Sequence, residues 1–162
     1  MKQKIVCLLS LTKEEKSAFK KAAGENEIIF AEAAEEKLIG SADVIIGLLP
    51  AELLPKAKTL KWLQSQTSGV DNYLVPGLLP EGAMLSSATG AYGQSVAEHM
   101  FAMMLSIMKH LPTYRDHQSA RLWKDAGSAR SPKGERILVL GTGDLGSKFA
   151  TFCKAFGAHT IG

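Results

Sequence analysis

Apolar and polar positions along the first part of the chain alternate in short blocks. The runs KIVCLLS (4–10), EIIFAE (27–32), DVIIGLL (43–49), TLKWLQSQ (59–66) and AMLSSA (83–88) have the length and the Val, Ile and Leu content of strands buried on both faces. Between them lie helical patterns: 13–23, where Phe19 and Ala22 or Ala23 share a face, a short helix near Glu35 to Ile39, and a helical turn around Glu52 to Ala57. Strands separated by helices or crossovers predict a parallel α/β sheet, because parallel strands need a returning connection across one face.

From Ser95 the rhythm changes. Val96, Met100, Met103, Met104, Ile107 and Leu111 recur at spacings of three and four, which predicts one long helix with these residues on its apolar face. Ser95 is the expected N-cap, with Glu98 completing a capping box. Pro112 is expected to end or bend this helix, and TYRDHQSARLW to continue as a second helical stretch. A loop carrying Gly127, Ser128, Ser131, Pro132 and Gly134 then leads to a strand over 135–140, a helix over 144–156 and a strand from Ala158.

Composition narrows the class of protein. A chain of 162 residues with 46% hydrophobic and 22% charged residues has the make-up of an ordinary globular domain. No apolar run approaches the roughly 18–20 residues of a membrane span, and no signal peptide is evident. Cys7 and Cys153 are far apart and lack metal-ligand partners at close spacing, so buried free thiols in a reducing cytoplasm are the plain reading. The net charge of +3 comes without basic runs interleaved with aromatics, which argues against nucleic acid as a partner. It is unevenly spread, −2 over residues 1–98 and +5 over 99–162, as if the two stretches belonged to different units.

Most reactive-looking residues have bland explanations. Met100, Met103, Met104 and Met108 on a helix suit core or subunit packing better than a metal or cofactor site. His99, His110, His117 and His159 have no carboxylate or thiol at ligand spacing, so they are expected in structural or surface roles, and no metal site is expected.

Two stretches carry chemistry. In Gly141-Thr142-Gly143-Asp144-Leu145-Gly146 a strand precedes and a helix follows, the context of a dinucleotide-binding turn. Gly141 would make the tight turn, Gly143 would let backbone approach a pyrophosphate, and Gly146 would let helix pack closely on strand. Free amides and the helix dipole would then face the phosphates. The acidic residue that grips the adenine ribose is expected about 20 residues past the first glycine, at or just beyond position 162. The second stretch is QTSGVDNY (66–73), directly after a strand. It is open to two readings, a glycine turn with an aspartate cap, or a loop whose Ser68, Gly69 and Val70 amides hold a small carboxylate at the carboxyl end of the sheet.

Taken together, LKWLQSQTSGVDNY, ATGAYGQSVAEHMFAMMLSIMKHLP, SARLW and GERILVLGTGDLGSKFATFCKAFGAHTIG resemble the D-isomer-specific 2-hydroxyacid dehydrogenases, in order and spacing from about residue 40 onward. The resemblance implies a flavodoxin-like, parallel-sheet substrate domain (1–94). After it come a long crossing helix, a dimerisation arm and the first strand-helix-strand of a Rossmann coenzyme domain (95–162). It implies hydride transfer between the nicotinamide of NAD or NADP and C2 of a small 2-hydroxy or 2-oxo acid, in a cytoplasmic homodimer joined through the helical arm. By the same resemblance Ser68, Gly69 and Val70 bind the substrate carboxylate and residues 141–146 bind pyrophosphate. Tyr92 borders the active site where some members have Asn, which leaves the substrate class open, and Val96 approaches the nicotinamide. The family's catalytic Arg, acidic residue and His have no counterpart within these 162 residues, so no catalytic residue is assigned, and His159, in the second Rossmann strand, is no substitute. The chain accordingly reads as the first half of such an enzyme, inactive alone. The alternative is a non-catalytic relative that serves as a nucleotide-binding or subunit-interaction module.

Overall fold

The computed structural model describes residues 2–162, which divide into two compact units, one ending at Thr89 and the other running Gly90–Gly162. The first unit is built on a five-stranded sheet of β1 (Lys4–Cys7), β2 (Glu27–Phe30), β3 (Val44–Ile46), β4 (Trp62–Gln64) and β5 (Met84–Ser86), in the order β2-β1-β3-β4-β5. Every pairing is parallel, with Ile5 opposite both Ile28 and Val44, Leu63 opposite Ile45, and Leu85 opposite Leu63. This is the flavodoxin-type order, and its chain direction switches between β1 and β3. The strands lie where the apolar runs predicted but are shorter, because residues such as Leu49 pack on the core beyond the ends of the ladder.

Local chemistry sets the element ends. Helix α1 (Lys13–Ala23) starts at Thr12, whose Oγ1 accepts from the Glu15 amide at 3.2 Å while the Thr12 amide donates to Glu15 Oε2 at 2.8 Å. That reciprocal pair satisfies two donors the helix start would otherwise strand, and holds the Glu15 carboxyl below the usual range. Helix α2 (Glu36–Ile39) and a 3₁₀ turn over Ala51–Lys56 supply Ile39 and Leu54 to a core with Val6, Ile45, Leu63 and Tyr73. The buried Tyr73 hydroxyl donates to the Leu49 carbonyl at 2.6 Å. Asp43, just before β3, accepts from Lys61 Nζ at 2.8 Å and from the Lys4 amide at 2.9 Å, and both lower its pKa, the lysine more. At the other end of β3, Gly47 has φ +126°, and a Cβ there would sit 2.9 Å from Leu8 Cβ. Only glycine suits that crossing of β1 and β3.

The second unit contains α3 (Gly93–Met108), α4 (Leu111–Ser119), β6 (Arg136–Leu138), α5 (Asp144–Ala155) and β7 (His159–Ile161), with β6 and β7 a parallel pair. Its core joins Ala97 and Phe101 of α3 to Phe149 and Cys153 of α5, Val139 and Ala158. The Phe101 ring stacks obliquely on Phe156 at 4.7 Å and meets Phe149 edge-on at 6.4 Å.

This packing corrects three expectations. The side of α3 that packs is Gly93, Ala97 and Phe101, with Met104 half-buried, whereas Val96, Met100, Met103 and Ile107 of the predicted face, and Leu111 beyond it, are exposed. The helix also begins three residues early, with Tyr92 rather than Ser95 at the N-cap position. Ser95 therefore lies inside the helix and forms no capping box, and Glu98 instead accepts from Gln94 Nε2 at 2.6 Å. Finally, the break after α3 falls at Lys109 and at His110, which is left-handed with φ 56°. Pro112 sits in the first turn of α4, where a missing amide hydrogen costs nothing, and α4 ends at Ser119, before Arg121 (φ 53°).

Candidate functional site

The QTSGVDNY loop leaves the carboxyl end of β4 and closes with a 3₁₀ turn over Asp71–Tyr73. Its root is fixed by side chains. Gln64 Nε2 donates to the carbonyls of Ser65 (2.9 Å) and Ser87 (3.1 Å), and Gln64 Oε1 accepts from Ser86 Oγ, which itself accepts from Trp62 Nε1. Val70 packs on the core, while Ser68 and Gly69 are exposed. A Cβ on Gly69 would meet nothing within 4 Å, so the loop tip borders open space. Among the described residues the Ser68 and Gly69 amides take no part in the backbone ladder, as a loop that binds an anion through N–H groups requires.

The glycine turn leaves β6 with its ladder closed by the Val139 amide donating to the Ile161 carbonyl at 2.7 Å. Gly141 has φ +89°, the left-handed conformation the tight turn needs. A Cβ on Gly146 would fall on the Gly141 carbonyl oxygen, and a Cβ on Gly143, at the N-cap of α5, would meet no atom within 4 Å. Each glycine thus fits its expected part: close packing at Gly146, and an open approach to the helix start at Gly143. Ser147 Oγ donates to the Thr142 carbonyl at 2.7 Å and the Ser147 amide to Gly143, so the first turn is firmly made, and Leu145 is exposed at its rim. The backbone at the start of α5 is thus open to approach at Gly143.

An acidic residue at the start of such a helix opposes anion binding. Here the Asp144 carboxylate is paired with Lys148 Nζ one turn on, which offsets its charge. A Cβ on Gly93 would overlap both of those side-chain ends, so the start of α3 at Gly93 lies directly beside the first turn of α5. Gly93 and Lys148 escaped the sequence reading. The Asp-x-x-x-Lys spacing was a usable signal for Lys148, but nothing local marks Gly93.

Within the second unit Gly93, next to Tyr92, lies against the Asp144 and Lys148 side chains of α5, while Val96 is an exposed residue of α3; Ser68, Gly69 and Val70 form a loop of the first unit. His99 and His159 are exposed, and His110 and His117 bond the Ser128 and Lys124 carbonyls. Both cysteines are buried and free, and burial raises both thiol pKa values. Among the described residues no three His, Cys, Asp or Glu side chains converge as for a metal, and no helix is long and apolar enough to cross a membrane.

A parallel sheet with a Gly-x-Gly-x-x-Gly turn opening onto a helix defines a dinucleotide-binding α/β protein. Residues 101–162 match the NAD binding domain of the D-isomer specific 2-hydroxyacid dehydrogenases. A protein of that family from Aeromonas salmonicida superposes with a TM-score of 0.81 at 32% identity, over 99% of this chain and 53% of its own. The D-3-phosphoglycerate dehydrogenase of Bacillus subtilis is 31% identical over 65% of this chain and 20% of its own length. An uncharacterized protein in the mprR 3′ region of Streptomyces coelicolor is 31% identical over 74% and 42%. The chain thus spans about half the length of these relatives or less, and it belongs to the D-isomer-specific 2-hydroxyacid dehydrogenase family.

Proposed function

We propose that this chain carries the substrate loop and the coenzyme turn of an oxidoreductase that moves hydride between a nicotinamide dinucleotide and C2 of a small D-2-hydroxy or 2-oxo acid. The observation that carries this reading is the pairing, in one chain of this family, of an open amide loop after β4 with an open glycine turn before α5. The amides of Ser68, Gly69 and Val70 would receive the substrate carboxylate. The turn Gly141–Gly146, with Thr142, the paired Asp144 and Leu145, would hold the pyrophosphate of NAD or NADP, Val96 would approach the nicotinamide, and Tyr92 would border the substrate. The bound nicotinamide supplies the hydride chemistry. This chain's own residues bind and orient.

No side chain at either loop is built to polarise a substrate carbonyl or to move a proton, so the 162-residue polypeptide is expected to bind without turnover. The check is titration with NADH and with NADPH followed by fluorescence, alongside a sensitive assay of glyoxylate and hydroxypyruvate reduction. Reduction by the purified polypeptide overturns the expectation of inactivity. Tight coenzyme binding without reduction favours a dedicated binding module, and failure of both coenzymes to bind removes the coenzyme reading.

The arm after α3 supports a homodimer. Leu122 and a fully exposed Trp123, in the segment after α4, border a concavity of about 700 Å³ with Tyr114 and His117, and Leu111 is exposed at the start of α4. An aromatic left wholly in water is the kind of anchor a partner surface covers. Light scattering is expected to report a dimer that Trp123→Ala weakens about tenfold or more. A monomer at every concentration would count against the arm.

A further inference from the structure

Ser65 is fully buried. It stands just past β4, at the root of a loop whose tip, Ser68 and Gly69, is exposed. A buried hydroxyl must find partners, and the partners here lead outward to the tip.

The direction of the chain of bonds follows from counting hydrogens. Thr67 Oγ1 has one, and gives it to the Gly69 carbonyl at 2.7 Å. The 2.8 Å contact between Ser65 Oγ and Thr67 Oγ1 must then be donated by Ser65, while Ser65 Oγ accepts from the Thr67 amide at 3.1 Å. The order is Ser65 hydroxyl to Thr67 hydroxyl to Gly69 carbonyl, a relay from the core to the tip.

Peptide geometry turns this relay into an orienting device. In a trans peptide the carbonyl and the following N–H point in opposite directions. The Gly69 carbonyl is drawn back onto Thr67, so the Val70 N–H faces away from it. The Thr67 carbonyl accepts from the Ala88 amide at 2.9 Å, so the Ser68 N–H faces away from that strand exit. Two donors are thus aimed by tying down the carbonyls that share their peptide planes.

We propose that Ser65 and Thr67 are positioning residues: their hydroxyls hold the Gly69 carbonyl inward and so present the Val70 amide to a small carboxylate, beside the Ser68 amide that the Ala88–Thr67 backbone bond aims. This rests on the reading of the loop as the substrate-carboxylate site.

The test uses the ¹⁵N-labelled 162-residue chain titrated with pyruvate, and with acetone as the uncharged control. Saturable shifts of the Ser68 and Val70 amides are expected with pyruvate only. Thr67→Val, which keeps the shape and removes the donor, should weaken binding about tenfold, whereas Thr67→Ser should stay within about twofold of the parent. Unmoved Ile45 and Leu63 amides would show that the fold is kept. If Thr67→Val folds poorly, Ser65→Ala makes the same test by removing the inner anchor alone, and is expected to weaken binding in the same direction. Parental affinity in a folded Thr67→Val or Ser65→Ala chain overturns the relay and leaves the carboxylate site standing. Absence of any pyruvate-dependent shift in the parent removes the carboxylate site, and the proposal with it.

Discussion

Gly146→Val is expected to cost the second unit about 3 kcal/mol or more and to abolish whatever coenzyme binding the parent shows. The new Cβ would overlap the Gly141 carbonyl oxygen and approach Val139 Cγ1 to 3.1 Å. Neither neighbour can give way cheaply. Val139 is tied to Ile161 by its amide, and the first turn of α5 is tied to Gly143 and Thr142 through Ser147. Relief requires α5 to lift off β6, which separates Phe149 and Cys153 from Phe101. Hydrogen exchange at the α5 amides during denaturant unfolding measures this, and a variant as protected as the parent would refute it. Gly143→Ala is the informative contrast. Its methyl would enter open space, so the fold should survive while NADH binding weakens.

Leu63→Ala is the second large effect, with an expected loss of about 2–5 kcal/mol in urea unfolding. Leu63 is fully buried at the middle of β4, paired to Ile45 on one side and Leu85 on the other, and packs in the core with Tyr73. A cavity there has little to collapse into it, because both neighbouring strands are held by the ladder. Ser65 lies two residues further on, so the same variant should also loosen the QTSGVDNY loop. A midpoint shift worth less than about 1 kcal/mol would mean that the core repacks far more freely than its burial implies.

The sheet of the first unit was legible because a parallel strand covered on both faces must be apolar almost throughout, and runs such as VII and KIVC have no other economical explanation. Their ends were overrun because an apolar residue that packs on the core and one that pairs in the ladder look alike in sequence. Leu49 is of the first kind. The glycine turn was equally plain, since left-handed φ at Gly141 and close approach at Gly146 leave no alternative residue. Helix α3 defeated the same logic. It is apolar on two sides, with Ala97 and Phe101 on one and Val96, Met100, Met103 and Ile107 on the other. Periodicity identifies faces without saying which one meets a neighbour. What chose between them is Gly93, whose missing side chain lets the helix start rest on the Asp144–Lys148 pair, and that is a tertiary fact. The Ser65–Thr67 relay was hidden for a similar reason, because serines and threonines in a loop say nothing of whether their hydroxyls point to water or to one another.

The position of β1 in the sheet also governs how the first unit must be assembled. β1 is the first strand made, yet it lies between β2 and β3, and its second partnership joins residue 5 to residue 44. β3 therefore pairs with β1 only by closing the chain between residue 5 and residue 44 into a loop. Loop-closure entropy is spent before the central contacts repay it. The β1–β3 seam should thus form late and limit the folding rate, giving this unit the millisecond-to-second kinetics of non-local topologies rather than the speed of a helical bundle.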